Sequence, residues 1–267
     1  MLVELVAWAG IQADPAARRL GYAKAAVSLW SRRRRCHRAW AGHEQQTREF
    51  ALSIAQACRH RDTAWLLGGG TLADLPLAEL SALFKRVVIF DIVWLASARR
   101  RAKQFPNVEL RQADVTGMVA PLAEWRAGLP LPIPSMRALA ELDSVPPDCV
   151  LSLNLLSQLP LLPMEYVQKH GVSRVGAESF GRAILQMHLD ALQGMSCPVG
   201  LVADARRIWR SRAGETVMSE NALLGLSLPT PQREWRWPVA PRGEIDNETS
   251  LDITVQASRW DGAGSGR

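Results

Sequence analysis

Ala64-Trp-Leu-Leu-Gly-Gly-Gly-Thr-Leu-Ala-Asp74 decides the reading of this chain, together with Val87-Val-Ile-Phe-Asp91 and Val108-Glu-Leu-Arg-Gln-Ala-Asp114 downstream. A short apolar run that ends in Gly68, Gly69 and Gly70 lets a backbone turn sharply beneath a ligand. Asp91 follows Gly70 by 21 residues, the interval at which a carboxylate closing the next strand accepts hydrogen bonds from ribose hydroxyls. The arrangement points to a nucleoside-containing cofactor.

Outward from this stretch the chain alternates between two periods. On the N-terminal side, residues 14–60 read as helical: Asp14-Pro15 is a cap followed by proline at the first helical position, and Ala17, Leu20, Ala23, Val27 and Trp30 recur at helical spacing. A second helix is expected over about 43–60, with Phe50, Ile54 and Cys58 on one stripe. Downstream, Leu75-Pro76 opens a helix, Val87–Phe90 reads as a strand buried on both faces, Leu95–Phe105 as a helix, and Val108–Gln112 as a third strand. Residues 121–147 hold six prolines around one short helical pattern near 135–142, which reads as a loop-rich insertion. Cys149–Leu153 and Pro198–Ala203 are further strands, ending at Asn154 and Asp204, with a helix over Phe180–Gln193 between them and an apolar loop over Leu155–Leu162. Glu234–Val239 and Leu251–Ala257 follow with no helix between them, so they are expected to form an antiparallel hairpin. The domain division is therefore a helical N-terminal cap (1–60), an α/β domain (61–260) and a disordered tail (261–267).

Bulk properties narrow the classes. The 267 residues, 48% apolar and 22% charged, suit a soluble globular protein. No run approaches the ~18 apolar residues a membrane span needs. The start lacks a basic leader and carries Glu4, which argues against a secretory signal. Cys36, Cys58, Cys149 and Cys197 are scattered, so the expected setting is a reducing cytoplasm without disulfides or structural zinc. No His/Cys/Asp spacing suggests a metal. The net charge of +6 is uneven: Ser31–Arg38 holds five arginines, and Arg99–Lys103 adds a second basic cluster. These read either as a solvated helix face or as a nucleic-acid or phosphate footprint, the first being favoured. The helical N-terminal region would cap the site or form a homodimer surface.

Two cofactors compete. Gly68-x-Gly70-x-x-Ala73 with Asp91 fits the dinucleotide pattern and favours NAD when taken alone. The C-terminal hairpin points elsewhere: five strand–helix units followed by two helix-free strands resemble the class I S-adenosylmethionine-dependent methyltransferases over about residues 44–260. The resemblance implies a doubly wound, seven-stranded sheet, mostly parallel, with an antiparallel C-terminal strand and helices on both faces. In its terms Gly68, Gly69 and Gly70 approach the methionine part of S-adenosylmethionine, Asp91 holds the ribose hydroxyls, Asp114 receives the adenine amino group, and Asn154 lies near the transferred methyl. The chain departs from the family pattern at Leu66, where an acid is usual, and at Leu72, the third glycine position; Asp74 is a substitute carboxylate. The methyl acceptor would be an O, N or S nucleophile of a small molecule.

The remaining polar residues supply the other expectations. Ser157 and Gln158, in an apolar run, need partners that a substrate could provide. His188 and Asp204 are the pair for a proton shuttle; His37 and His43 flank the lead-in helix where a lid would form, and Arg206 could bind an anionic substrate. The alternatives are a non-catalytic binding protein of the same fold, motivated by Leu66 and Leu72, and an NAD-dependent oxidoreductase.

Overall fold

Thr63–Leu67, the run before the glycines, is strand β1, and all five of its side chains are buried. The structure is a computed structural model; it describes residues 8, 10–135, 139 and 141–261. Among the described residues, the helices α1 (Pro15–Arg19), α2 (Tyr22–Arg35) and α3 (His37–Ala57) precede β1. Asp14 caps α1, its Oδ1 accepting from the Ala17 amide at 2.7 Å with Pro15 in the first turn. Gly21, at φ +93°, breaks α1 from α2 without spoiling the stripe on which Ala17, Leu20, Ala23 and Val27 are buried. The long helix starts at His37 rather than near 43, since Cys36 is where the backbone leaves helical geometry.

After β1 the chain alternates as expected: α4 (Leu77–Leu83), β2 (Arg86–Asp91), α5 (Ala96–Ala102), β3 (Val108–Gln112), α6 (Val119–Glu124) and β4 (Cys149–Leu153). Pro121 sits in the first turn of α6, where a missing N–H costs nothing. The remainder of the proline-rich segment is pinned by the buried Leu139 and by Asp143, whose carboxylate meets Arg86 at 2.6 Å and Arg111 at 3.3 Å. The helical pattern expected near 135–142 and the tail at 262–267 lie outside the described residues, apart from Ser135, Leu139, Glu141 and Leu142. Leu155–Leu162 is not a plain loop: a 3₁₀ turn (Leu156–Gln158) leads into α7 (Leu161–Lys169), followed by α8 (Arg174–Gln193).

The last strands depart most from the expectation. β5 spans Val199–Arg210, running through Asp204 instead of ending there, and turns back as β6 (Thr216–Asn221) before β7 (Arg233–Ala240) and β8 (Ser250–Trp260). The sheet order is β3-β2-β1-β4-β5-β8-β7, with β6 paired to the outer half of β5. That gives eight strands rather than seven. Strands β1 to β5 are parallel, and β8 lies antiparallel between β5 and β7. The extra strand exists because the Arg206–Arg210 extension pairs on both edges, and the register shift at Asp204–Arg206 bends it away from β4. Alternate residues of each strand feed opposite cores. Trp65, Leu67, Val88 and Phe90 pack with α8 on one face, while Ala64, Leu66, Val87 and Ile89 pack with α3 and α4 on the other. Among the described residues no helix is long and apolar enough to cross a membrane.

Candidate active-site cavity

A cavity of about 520 Å³ opens at the carboxyl ends of β1, β2, β3 and β4, the place where open α/β sheets take ligands, and its size lies within the range for small molecules. The three glycines form its floor for different reasons. Gly68 has φ +86°, and a Cβ there would come within 2.9 Å of Leu155 Cβ. Gly69 is glycine for packing: a Cβ would lie 2.4 Å from the Trp94 ring. Gly70, at φ +48°, would meet nothing within 4 Å, so its backbone is the part open to a ligand. The third glycine position is occupied by Leu72, which nevertheless takes the left-handed φ of +60° and is fully buried. Its apolar contacts offset a strain of about 1–2 kcal/mol.

The aspartates close the floor. Asp91 accepts the Gly70 amide at 2.6 Å and the Val93 amide at 3.2 Å, and burial raises its pKa above the usual carboxylate value. Asp114 reaches the cavity, but its Oδ1 accepts from Thr116 N and Oγ1 while Oδ2 accepts the Val119 amide at 2.7 Å; the carboxylate caps α6. Asn154, at φ +54°, donates from Nδ2 to Asp74 Oδ2 at 2.7 Å, and its Oδ1 is buried with no partner among the described residues. Asp74 has its pKa raised by burial, opposed by the Asn154 hydrogen bond. Leu66 points into the α3 core instead, so the carboxylate on this side of the cavity comes from Asp74.

The opposite wall comes from α2, α3 and β7. His43 is 3% exposed and stacks on Trp237 with ring centroids 4.0 Å apart and planes 8° apart; Trp40 meets Trp237 edge-on at 4.9 Å. The Trp235 indole N–H donates to His43 Nδ1 at 3.1 Å, and the Trp40 indole N–H donates to Val239 O at 3.0 Å. Burial pushes the His43 pKa down to about 3, so the ring is neutral. Glu44 is held by Arg33 through two hydrogen bonds, 2.7 and 3.1 Å, with Arg48 3.7 Å away.

The structure does not bring His188 and Asp204 together, and neither lines the cavity. His188 is 0% exposed on α8, with Nε2 3.1 Å from Ser152 Oγ, and burial lowers its pKa to about 4. Asp204 accepts from Ser157 Oγ at 2.8 Å, and both are buried below the floor. Ser157 is thus engaged by Asp204, whereas Gln158 does line the cavity and donates to Asn154 O. Arg206 is exposed at the β5 bulge, away from the lining, and His37 is exposed at the start of α3. Four arginines of the run meet partners within the chain: Arg32 and Arg35 pair with Glu244, Arg33 with Glu44, and Arg34 lies over Trp30. Among the described residues no group of three His, Cys, Asp or Glu could hold a metal ion.

Sequence reading had missed Trp40, Trp235, Trp237 and Glu44. The signal for Trp235 and Trp237 is the density of tryptophan in Glu234–Val239, which alternates as a strand and does not name its partners; Trp40 and Glu44 carry none.

No protein-family model matches the chain, and no curated protein matches it by sequence. Among solved structures it is similar to the 1,6-didemethyltoxoflavin-N1-methyltransferase of Burkholderia thailandensis with bound 1,6-didemethyltoxoflavin and S-adenosylhomocysteine. That match has 14% identity and a TM-score of 0.39, over 86% of this chain and 85% of that one. It is similar also to the N-methyltransferase NodS of Bradyrhizobium japonicum in complex with S-adenosylhomocysteine, at 12% identity, TM-score 0.34, and 82% and 87% coverage. An rRNA methylase of Streptococcus thermophilus follows at 13% identity, TM-score 0.32, and 79% and 95% coverage.

Proposed function

We propose that this protein binds S-adenosylmethionine and transfers its methyl group to an O, N or S nucleophile of a small molecule. One observation carries the reading: the floor of the cavity joins an open glycine backbone, a ribose-type carboxylate and a buried, unpaired amide oxygen. Gly70 exposes its backbone, Asp91 stands at the end of β2, and Asn154 Oδ1 lacks a donor beside the Asp74 carboxylate. An α-amino group satisfies Asn154 Oδ1 and is held by Asp74. Asp91 accepts from the ribose hydroxyls with lone pairs that the Gly70 and Val93 amides leave over. The wall near Asp114 takes the adenine, beside Tyr22, whose phenol burial keeps protonated.

When bound, the cofactor supplies an electrophilic methyl on a sulfonium sulfur. The protein's part is to position and to exclude water. Trp40, His43 and Trp237 shut one side of the cavity with aromatic surface, and Leu161 lies at its rim. The sheet order supports the same reading, since β8 enters antiparallel beside β7 as the family resemblance implies.

Titration calorimetry with S-adenosylhomocysteine tests the proposal. Micromolar binding that Asp91→Asn weakens by about a hundredfold supports it. Absence of binding, or binding of NAD in its place, overturns it. A chain that binds the cofactor but methylates none of a broad panel of amines, phenols and thiols is the non-catalytic alternative.

A further inference from the structure

His43 presents a fixed polarity to the cavity. An indole nitrogen can only donate, so the Trp235 contact at 3.1 Å makes His43 Nδ1 an acceptor, and in a neutral imidazole the proton must then sit on Nε2. The ring is 3% exposed and lines the cavity, and among the described residues Nε2 makes no hydrogen bond. A donor on a cavity-lining ring is matched by an acceptor on the molecule that fills the cavity. The surface around it is flat and aromatic, with His43 face-to-face on Trp237 and Trp40 edge-on behind. Glu44, the cavity-lining carboxylate next to His43 in the sequence, is already neutralised by the bidentate Arg33 and by Arg48.

We propose that Trp235 locks His43 as a hydrogen-bond donor, and that the molecule seated against it is a planar ring compound offering a carbonyl oxygen or an unprotonated ring nitrogen. This deepens the methyl-transfer reading and rests on it for calling that molecule the methyl acceptor. His43 is then a specificity residue and not a base, because the nitrogen able to take a proton is occupied. Trp235 is a positioning residue that acts through it.

Isoquinoline and naphthalene have the same shape and differ by one ring nitrogen, so they isolate the donor. With S-adenosylhomocysteine bound and at mildly alkaline pH, isoquinoline is expected to bind about tenfold tighter than naphthalene. Trp235→Phe should reduce that preference to about threefold or less, and His43→Gln, whose amide nitrogen stands near the Nε2 position, should keep it. Nitrogen NMR of the wild type should show one tautomer, protonated on Nε2, giving way to a mixture in Trp235→Phe. Equal binding of the two rings, or tighter binding of naphthylmethylammonium, overturns the ligand class. A proton found on Nδ1 overturns the lock. If S-adenosylhomocysteine itself does not bind, the methyl-transfer reading fails, while the ring pair and the NMR spectrum on the free protein still decide the polarity of His43.

Discussion

The two walls of the cavity are built in opposite ways. On the floor the two strand-end aspartates are tied to backbone close in sequence or on the neighbouring strand: Asp114 to Thr116 and Val119, Asp91 to Gly70 and Val93. On the aromatic wall the hydrogen bonds of the rings join segments about 200 residues apart, His43 to Trp235 and Trp40 to Val239. Local ties make the floor rigid and generic, suited to a ligand part that never changes. Long-range ties make the other wall depend on docking α3 against β7, where specificity can be set without disturbing the floor.

Trp40→Ala should give the largest effect. It removes a buried indole, its hydrogen bond and an edge contact, at a cost of about 4 kcal/mol in chemical denaturation. The folded fraction should still bind S-adenosylhomocysteine within about threefold of wild type. A parallel collapse in affinity would mean that the two walls are one unit.

The next test uses pH. The folded pKa values of His43 (about 3) and His188 (about 4) lie below the ordinary 6.5, so the unfolded chain takes up protons first. Their contribution to stability is present above the unfolded value and is lost as pH falls from about 6.5 toward 4. Asp74, Asp91 and Asp204 act in the opposite sense, because burial raises their folded values and the folded state holds protons longer. Denaturation of His188→Gln beside wild type isolates one histidine, and wild type should lose about 3 kcal/mol more than the variant over that range.

Asp91→Asn attacks the floor alone. It should weaken S-adenosylhomocysteine by about 2.7 kcal/mol in calorimetry and leave isoquinoline binding to the aromatic wall unchanged. Acidification should likewise weaken only the nucleoside ligand, since burial makes these carboxylates take up protons at a higher pH than ordinary carboxylates while His43 stays neutral. The smallest effect belongs to Arg34→Ala. Arg34 lies over Trp30 on an exposed face, so stability should change by less than about 0.5 kcal/mol, and RNA retention in a filter assay should be weak and unaltered.

The same contrast explains what could be read from the chain. The glycine run, Asp91, the first four strands and the antiparallel pairing of the terminal hairpin are local patterns with fixed periods, and each appears where its period put it. The arginine run is plain in sequence, yet the Glu244 that pairs with Arg32 and Arg35 lies over 200 residues away. His188 and Asp204 stand on consecutive elements, but nothing in a helical or strand period says that one faces Ser152 and the other Ser157. Leu72 shows the limit most sharply. Its identity argues against a glycine slot while its backbone adopts one, because burial outweighs the strain.

The turn between β7 and β8 has one more consequence. Glu244 grips Arg32 and Arg35 at the end of α2, while β7 below it supplies the rings that α3 rests on. During synthesis the helices that roof the cavity emerge about 200 residues before their partners. The cavity therefore cannot close early: its roof must wait, without these partners, until β7 and the turn after it have been made.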